Sequence, residues 1–285
     1  MKKVILLAYL VFTVPSINAE EETLCEKQWN EYYENLPESE RTSNDSLVRA
    51  VMIDDCNNDY KLAKERQKEM MVTSMHAYAE GNYVIAYNEF KILADVGYRN
   101  AQFSLAMLYY NGEGVIQDYK EAMKWFRLSA EQGHTKAQHN LGWMYYIGDG
   151  VIQDYKEAMK WFRLSAEQGT EGTVRSQYNL GWMYEQGEGV TKDYKEAMKW
   201  YHIAAEQGDV SSQSKLGYAY GVGQGVTQDQ VIGYMYSYIA AANGDEVAKN
   251  NRDFAVTIMT SEQLIKANSL ARECIKNNYK DCGYR

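Results

Sequence analysis

A twenty-residue stretch of this chain occurs twice without a single difference. Residues 114–133 read GVIQDYKEAMKWFRLSAEQG, and residues 150–169 repeat the same letters. A third copy at residues 189–208 is closely related, and a fourth at residues 225–244 is degenerate. Self-similarity at a fixed period of about 20 to 50 residues indicates a stacked architecture, in which each unit buries its apolar face against its neighbours. The sequence therefore predicts an array of repeats rather than one ordinary core.

Matching aromatic positions set the period. Trp125 and Trp161 are 36 residues apart, Trp161 and Trp200 are 39 apart, and Trp200 and Tyr236 are again 36 apart. The longer spacing has a visible cause, because residues 170–175 stand where the previous unit has only three residues. The predicted units cover residues 101–136, 137–175, 176–211 and 212–247.

Each unit carries the pattern of a helix, a glycine loop and a second helix. The first helix has a leucine and a tyrosine four residues apart, such as Leu105 and Tyr109, which places both on one face. Gly142, Gly181 and Gly217 follow the leucine in the later units. Because Gly costs a helix about 1 kcal/mol against Ala, we expect a neighbouring helix to approach closely there. A G-x-G-V loop follows, and its first glycine suits a left-handed helix end.

An aspartate precedes each of the first three second helices. These residues are Asp118, Asp154 and Asp193, and a glutamate lies three residues after each of them. Aspartate is a favoured N-cap, and a glutamate at this spacing indicates a capping box. The sequence therefore predicts antiparallel helix pairs in series, which is an all-α fold.

The first nineteen residues have the pattern of a secretory signal peptide. Lys2 and Lys3 precede an apolar run at residues 4–14, and Ala19 offers a small residue for cleavage. The run is too short to span a bilayer, which needs about 20 apolar residues. We therefore expect a periplasmic or secreted mature chain that does not insert into the membrane; the alternative is a buried N-terminal helix.

The four cysteines lie outside the repeats. Cys25 and Cys56 are near the start of the chain, and Cys274 and Cys282 are near its end. An even count in an exported chain favours disulfides. Three pairings are possible, and the clustering favours Cys25 with Cys56 and Cys274 with Cys282, so that each bridge fastens one end of the array. The cysteines and histidines are too scattered to predict a metal site.

The segments outside the repeats are predicted to cover the ends of the array, as solenoids require. Residues 20–69 form an N-terminal helical cap, whose second helix starts at Ser43 or Asp45. Residues 70–100 form a short tetratricopeptide-like unit. Residues 248–285 form C-terminal capping helices, with a second capping box in residues 260–263.

Composition and charge argue against several classes of protein. The chain has only two prolines, which suits helices and argues against a sandwich or barrel. Its net charge is −9, and removal of the signal peptide with its two lysines leaves −11, so nucleic acid is not an expected partner. Motifs for a nucleophile, a phosphate loop or a zinc-binding helix are absent from the sequence. We therefore expect neither enzymatic activity nor a cofactor.

The repeat unit resembles the Sel-one-like repeat, a relative of the tetratricopeptide repeat. The shared pattern is A-x-x-x-L-G-x-x-Y-x-x-G-x-G-V-x-x-D-x-x-x-A-x-x-W-x-x-x-A-x-x-x-G, which covers residues 101–247 strongly and residues 70–100 loosely. The resemblance implies a right-handed α-solenoid of antiparallel helix pairs that serves as a scaffold for protein contacts. Exported bacterial members are linked to envelope assembly, peptidoglycan enzymes and host interaction. A subgroup with cysteines in each repeat is associated with β-lactam chemistry, and this chain does not match it.

Aromatic and apolar side chains recur at the third, seventh and tenth positions of the first helices. This spacing puts each set on one face, away from the leucine and tyrosine face. First helices in the Sel-one-like class line the concave side, so stacking would form an aromatic groove; the alternative is that these aromatics pack between units. The predicted groove residues are Phe103, Met107, Tyr110, His139, Asn140, Trp143, Tyr146, Tyr178, Asn179, Trp182 and Tyr218.

These features predict an exported scaffold whose concave face binds a partner protein or an extended peptide. Tryptophan and tyrosine are the usual anchors of binding hot spots. One alternative is a binder or hydrolase of cell-wall or β-lactam-like ligands. Another is a secreted host-interaction factor that uses the same groove.

Overall fold

The computed structural model describes residues 45–169, 173–280 and 282, and the side chains from residue 61 onward except residue 63. The predicted signal peptide and the start of the N-terminal cap lie outside the described residues. The predicted bridge between Cys25 and Cys56 lies outside them as well. The N-terminal predictions therefore stay predictions.

Every regular element in the described residues is a helix, and none is a strand. The helices are α1 (Asp45–Ala79), α2 (Tyr83–Asp95), α3 (Arg99–Asn111), α4 (Tyr119–Glu131), α5 (Thr135–Ile147), α6 (Tyr155–Ala166), α7 (Val174–Gln186), α8 (Tyr194–Ala205), α9 (Val210–Val222), α10 (Gln230–Ala242), α11 (Glu246–Ile258) and α12 (Ser261–Lys276).

The chain forms two compact units, Met1–Ser129 and Ala130–Arg285. In the first unit α2 packs between α1 and α3. The helix α1 runs without a break across the predicted boundary at residues 69 and 70, because neither glycine nor proline interrupts residues 45–79. In the second unit α5 to α10 pack in sequence, and α11 and α12 both pack against α10.

Aspartates cap the second helices as predicted. The carboxylates of Asp154 and Asp193 each accept from two backbone N–H groups in the first turn of their helices. The predicted capping box is incomplete, because the backbone N–H of Asp154 donates to the carbonyl of Tyr145 at 2.9 Å. The glutamate that would have filled the box, Glu157, pairs instead with Lys160 at 3.4 Å.

Glycines allow close approach at two places in the repeat. The first is the helix glycine that was predicted to allow it: a Cβ on Gly181 would lie 2.6 Å from the ring of Tyr201. The second was not predicted. Gly189, the second glycine of its loop, has φ +73°, and a Cβ there would lie 2.6 Å from the carbonyl oxygen of Tyr155, the first residue of the preceding second helix. A side chain at either position would have to displace the helix that packs against it, which belongs to the same repeat for Gly181 and to the preceding repeat for Gly189.

A series of buried glutamines connects the repeats of the second unit. Gln177 donates from Nε2 to the carbonyl of Ala166 in the preceding repeat at 3.4 Å. Its Oε1 atom accepts from Gln207 Nε2 at 2.7 Å. In the last repeat Gln213 donates to the carbonyl of Ala205 at 3.3 Å, but its Oε1 atom is buried without a hydrogen-bond partner. Asn243 stands where the earlier repeats have the donating glutamine.

The C-terminal segment closes over the core of the last two repeats. The helix α12 starts with the predicted capping box, formed by Thr260 and Gln263. A disulfide joins Cys274 to Cys282, and both cysteines are buried in the same apolar cluster as Leu216. The predicted C-terminal pairing is therefore present in the structure.

Candidate functional site

Four aromatic side chains occupy the seventh position of successive first helices in the second unit. Trp143, Trp182, Tyr218 and Phe254 lie on α5, α7, α9 and α11. We call these four residues the aromatic strip. Trp143 is 40 % exposed, Tyr218 50 % and Phe254 65 %, whereas Trp182 is half-buried. Large exposed aromatics at equivalent positions of consecutive repeats are unusual for a surface that only faces water.

Tyr146 connects the first two members of the strip. Its ring stacks on Trp143 with centroids 5.5 Å apart and an interplanar angle of 20°. Its hydroxyl accepts from Trp182 Nε1 at 3.2 Å and donates to Glu188 Oε2 at 2.9 Å. Burial, and next the hydrogen bond to Glu188, raise the pKa of Tyr146. The indole N–H of Trp182 and the hydroxyl of Tyr146 thus have hydrogen-bond partners within the protein, while Trp143 stays 40 % exposed.

A cationic side chain from the next repeat lies over the ring of Trp182. Lys215 Nζ lies 4.6 Å from the ring centroid and 3.0 Å from Glu185 Oε2. The hydroxyl of Tyr201 donates to the same carboxylate at 2.6 Å. Burial and this hydrogen bond raise the pKa of Tyr201, so the phenol stays protonated. Glu185 thus has two partners, and Trp182 is covered by the ammonium group of Lys215.

The third-position residues pack inward. The ring of His139 lies 5.5 Å from that of Phe162, and its Nδ1 atom lies 2.9 Å from Ser176 Oγ. Burial, with a smaller contribution from the charge of Arg175, lowers the pKa of His139 to about 4, so the ring is neutral. Tyr178 likewise lies against a core ring, with its centroid 5.7 Å from that of its neighbour on α8. For these two residues the contacts are those of the packing alternative.

Three of the predicted groove residues lie on α3 in the first unit. Phe103 and Tyr110 on α3 are half-buried, and their rings lie 5.8 Å and 6.4 Å from that of Phe126. Met107 on the same helix is also half-buried. Asn140 and Asn179 are half-buried on α5 and α7, three residues before strip members.

Phe254 is a strip residue that the sequence prediction missed. It lies 36 residues after Tyr218, so the repeat period itself was the available signal. The prediction had assigned α11 to the C-terminal cap, although the helix continues the series of first helices. Exposed apolar side chains flank the strip four residues later, namely Ile147 at 38 %, Val222 at 54 % and Ile258 at 52 % exposed.

Comparison with known proteins agrees with this architecture. The family model described as Sel1 repeat matches residues 99–134, 135–170, 174–209 and 210–245, together just over half of the chain. The chain belongs to the Sel1 repeat family. The predicted fold class, an all-α solenoid of helix pairs, is confirmed, and the matched repeats are offset by about two residues from the predicted ones.

Two solved structures illustrate the similarity of this Sel1 repeat protein to others. A protective antigen of uropathogenic Escherichia coli with an SLR fold is 36 % identical, with a TM-score of 0.65 over 75 % of this chain and 47 % of the antigen. The chain thus spans about half the length of that antigen. A Sel1 repeat protein from Oxalobacter formigenes is 30 % identical, with a TM-score of 0.59 over 70 % of this chain and 84 % of the other. No curated protein gave a match.

Sel1 repeats commonly mediate protein–protein interaction, and proteins built from them are generally non-catalytic scaffolds. In the described part of this Sel1 repeat protein, the acidic, cysteine and histidine side chains form no cluster suited to a metal ion. Across residues 45–169, 173–280 and 282, no helix combines the length and apolar character that crossing a membrane requires.

A cavity of about 310 Å³ lies against α6, away from the strip residues. Its lining is mainly one face of that helix, with three cationic side chains and the loop glycine of the next repeat. One of the cations, Arg163, already donates to the hydroxyl of Tyr184 at 2.6 Å, and another, Lys160, pairs with Glu157. The lining residues are Lys156, Met159, Lys160, Arg163, Leu164, Glu167 and Gly189.

Proposed function

We propose that this Sel1 repeat protein is an exported scaffold that binds an extended segment of a partner protein along the aromatic strip. The observation that carries the proposal is the strip itself. Three of its four side chains are at least 40 % exposed, although aromatic side chains normally bury most of their area in a stable protein. An open row of aromatic anchors is typical of a binding surface.

The arrangement favours an extended segment over a compact ligand. The strip takes one anchor from each of the helices α5, α7, α9 and α11, so a ligand that covers it must follow the direction in which the repeats are stacked. Repeat proteins use such surfaces to bind extended partners. The exposed apolar residues beside the strip, such as Val222 and Ile258, widen the surface that a partner would bury.

Export is supported by two observations. Residues 1–19 have the charge and apolar pattern of a cleaved signal peptide. The Cys274–Cys282 disulfide suits an oxidising compartment such as the periplasm or the extracellular space. We therefore place the partner in the cell envelope or outside the cell.

Site-specific photo-crosslinking in cells tests the proposal. A photoreactive amino acid is introduced at Tyr218 in one variant and at Ile152, a loop residue that is 89 % exposed, in the control variant. We expect a discrete adduct with one partner from position 218 and none from position 152. Adding Trp143→Ala should remove the adduct while the circular dichroism spectrum stays unchanged.

Two outcomes would contradict the proposal. One is an equal yield of adducts from both positions, which would mean that crosslinking follows exposure rather than a binding surface. The other is an adduct from position 218 that persists after Trp143→Ala, which would place the partner somewhere other than on the strip.

A further inference from the structure

A lysine of the chain itself covers one residue of the aromatic strip. Lys215 extends over Trp182, 4.6 Å from the ring centroid, and pairs with Glu185 at 3.0 Å. The ammonium group thus has an aromatic face on one side and a carboxylate on the other. An aromatic face attracts a cation through its quadrupole, and this attraction is strongest when the pair is partly shielded from water, as it is here.

The covering lysine is missing one repeat earlier. Trp143 corresponds to Trp182, which lies 39 residues later. Asn179 corresponds to Lys215, which lies 36 residues later. Asparagine carries no charge and is too short to cover the ring as lysine does. Trp143 is accordingly 40 % exposed, whereas Trp182 is half-buried.

The pattern recurs one repeat later. Tyr218 is the next strip residue after Trp182, and the residue that corresponds to Lys215 is Asn251. Tyr218 is 50 % exposed. Of these three strip residues, Trp182 has a lysine at the corresponding position of the next first helix and is half-buried. Trp143 and Tyr218 have an asparagine at that position and are exposed.

A carboxylate is hydrogen-bonded to the tyrosine that stacks on Trp143. Glu188 Oε2 lies 2.9 Å from the hydroxyl of Tyr146, whose ring stacks on Trp143. Tyr146 stands where the Trp182 site has Glu185, because it lies 39 residues earlier. The surroundings of Trp143 therefore supply an aromatic face and, through the hydroxyl of Tyr146, the carboxylate of Glu188. The chain as a whole is acidic, with a net charge of −9, which attracts cationic partners to its surface.

From these observations we infer that the strip selects a partner segment that carries lysine or arginine flanked by apolar residues, with the cation seated over Trp143 beside Glu188. The inference rests on the proposed function and specifies the chemistry of the partner. Apolar residues further along the segment contact Tyr218 and Phe254. Arginine is favoured over lysine, because its planar guanidinium stacks on an aromatic ring while it pairs with a carboxylate.

Calorimetric titration with synthetic peptides tests the inference. The probe is an acetylated nine-residue peptide with three repeats of Ala-Leu-Arg, and the control peptide has citrulline, a neutral analogue of nearly the same shape, in place of each arginine. We expect the arginine peptide to bind about five- to thirty-fold more tightly, which corresponds to one or two cation–π contacts.

Protein variants separate a specific site from general attraction to an acidic protein. Asn179→Lys places a lysine where it can cover Trp143, as Lys215 covers Trp182, and should weaken the arginine peptide by at least about five-fold. Ser269→Lys adds the same charge at an exposed position of α12 and should change the affinity by less than about two-fold, since exposed charges are screened by salt. Glu188→Gln should weaken the arginine peptide and leave the citrulline peptide unchanged.

The outcomes distinguish this inference from the proposed function. Equal affinities for the two peptides, or equal effects of Asn179→Lys and Ser269→Lys, would overturn the cation preference and leave the strip as a binding surface. Absence of binding by both peptides at millimolar concentration would also overturn it. The crosslinking experiment at Tyr218 then decides the proposed function by itself.

Discussion

Replacing Asn243 with Gln is expected to stabilise the second unit. In the preceding repeat the corresponding residue, Gln207, donates from Nε2 to Gln177 Oε1 at 2.7 Å. Asparagine is one methylene shorter, and Gln213 Oε1, the acceptor in the last repeat, is buried without a hydrogen-bond partner. The substitution adds the missing length, so the last repeat should complete the bond that the preceding one has.

The expected gain is about 1 kcal/mol in the free energy of unfolding. A hydrogen bond within a protein contributes about 0.5–1.5 kcal/mol net, and relief of a buried unpaired acceptor puts the value in the upper half of that range. Fixing one more side-chain torsion offsets part of it. The local bond is kept, because Gln207 donates to the carbonyl of Ile203 at 3.1 Å just as Asn243 donates to that of Ile239 at 3.0 Å.

Urea unfolding followed by circular dichroism measures the effect, together with a melting curve, in which 1 kcal/mol corresponds to roughly 2–4 °C. Gln207→Asn is the reverse control, and it should lower the stability by about 1–3 kcal/mol because it leaves Gln177 Oε1 unpaired. In a Gln213→Leu background the acceptor is gone, so Asn243→Gln should give no gain. A gain of equal size in that background, or no gain in the native background, would refute the reasoning.

Three further predictions concern stability. Gly189→Ala should lower the free energy of unfolding by at least about 2–3 kcal/mol, because it combines a left-handed backbone with a clash against a carbonyl oxygen. Gly133 has φ +78° and open space around it, so Gly133→Ala should cost only the backbone part, about 1–2 kcal/mol. Urea unfolding measures both. Reduction of the Cys274–Cys282 bridge, which closes a loop of eight residues, should lower the free energy of unfolding by about 2–3 kcal/mol, and a melting temperature unchanged by reductant would contradict this. Burial lowers the pKa of His202 to about 4 from 6.5, so the stability that its neutral form contributes is complete above pH 6.5 and is lost as the pH falls toward 4. His202→Gln should flatten the dependence of the urea midpoint on pH in that window.

Local features of the fold were predictable from the sequence because each repeat carries its own signals. Asp154 and Asp193 cap their helices through bonds within three residues, and this chemistry depends on little else. The first glycine of each loop ends its helix in the left-handed conformation for the same reason, as at Gly187 with φ +79°. The incomplete capping box marks the limit, because the N–H of Asp154 is taken by Tyr145, a residue of the other helix of the pair.

Features that depend on the neighbouring repeat were not predictable in this way. The approach of Gly189 to Tyr155 requires knowledge of how two repeats are offset, and the sequence gives only their period. In the candidate site, the spacing correctly put Trp143 and Trp182 at equivalent places. It could not show that His139, on the same helix face, turns toward Phe162, or that a lysine from the next repeat covers one tryptophan and leaves the other open.

The glutamine series lets further repeats be added along the array. Each full repeat presents a carbonyl that the glutamine of the following repeat can bind, and brings its own glutamine to the repeat before it. An in-frame duplication of one 36-residue unit would therefore meet compatible groups on both sides, and the identity of residues 114–133 and 150–169 is what such a gene duplication produces. Changes in copy number would lengthen the proposed binding surface without requiring any new interface between repeats to evolve.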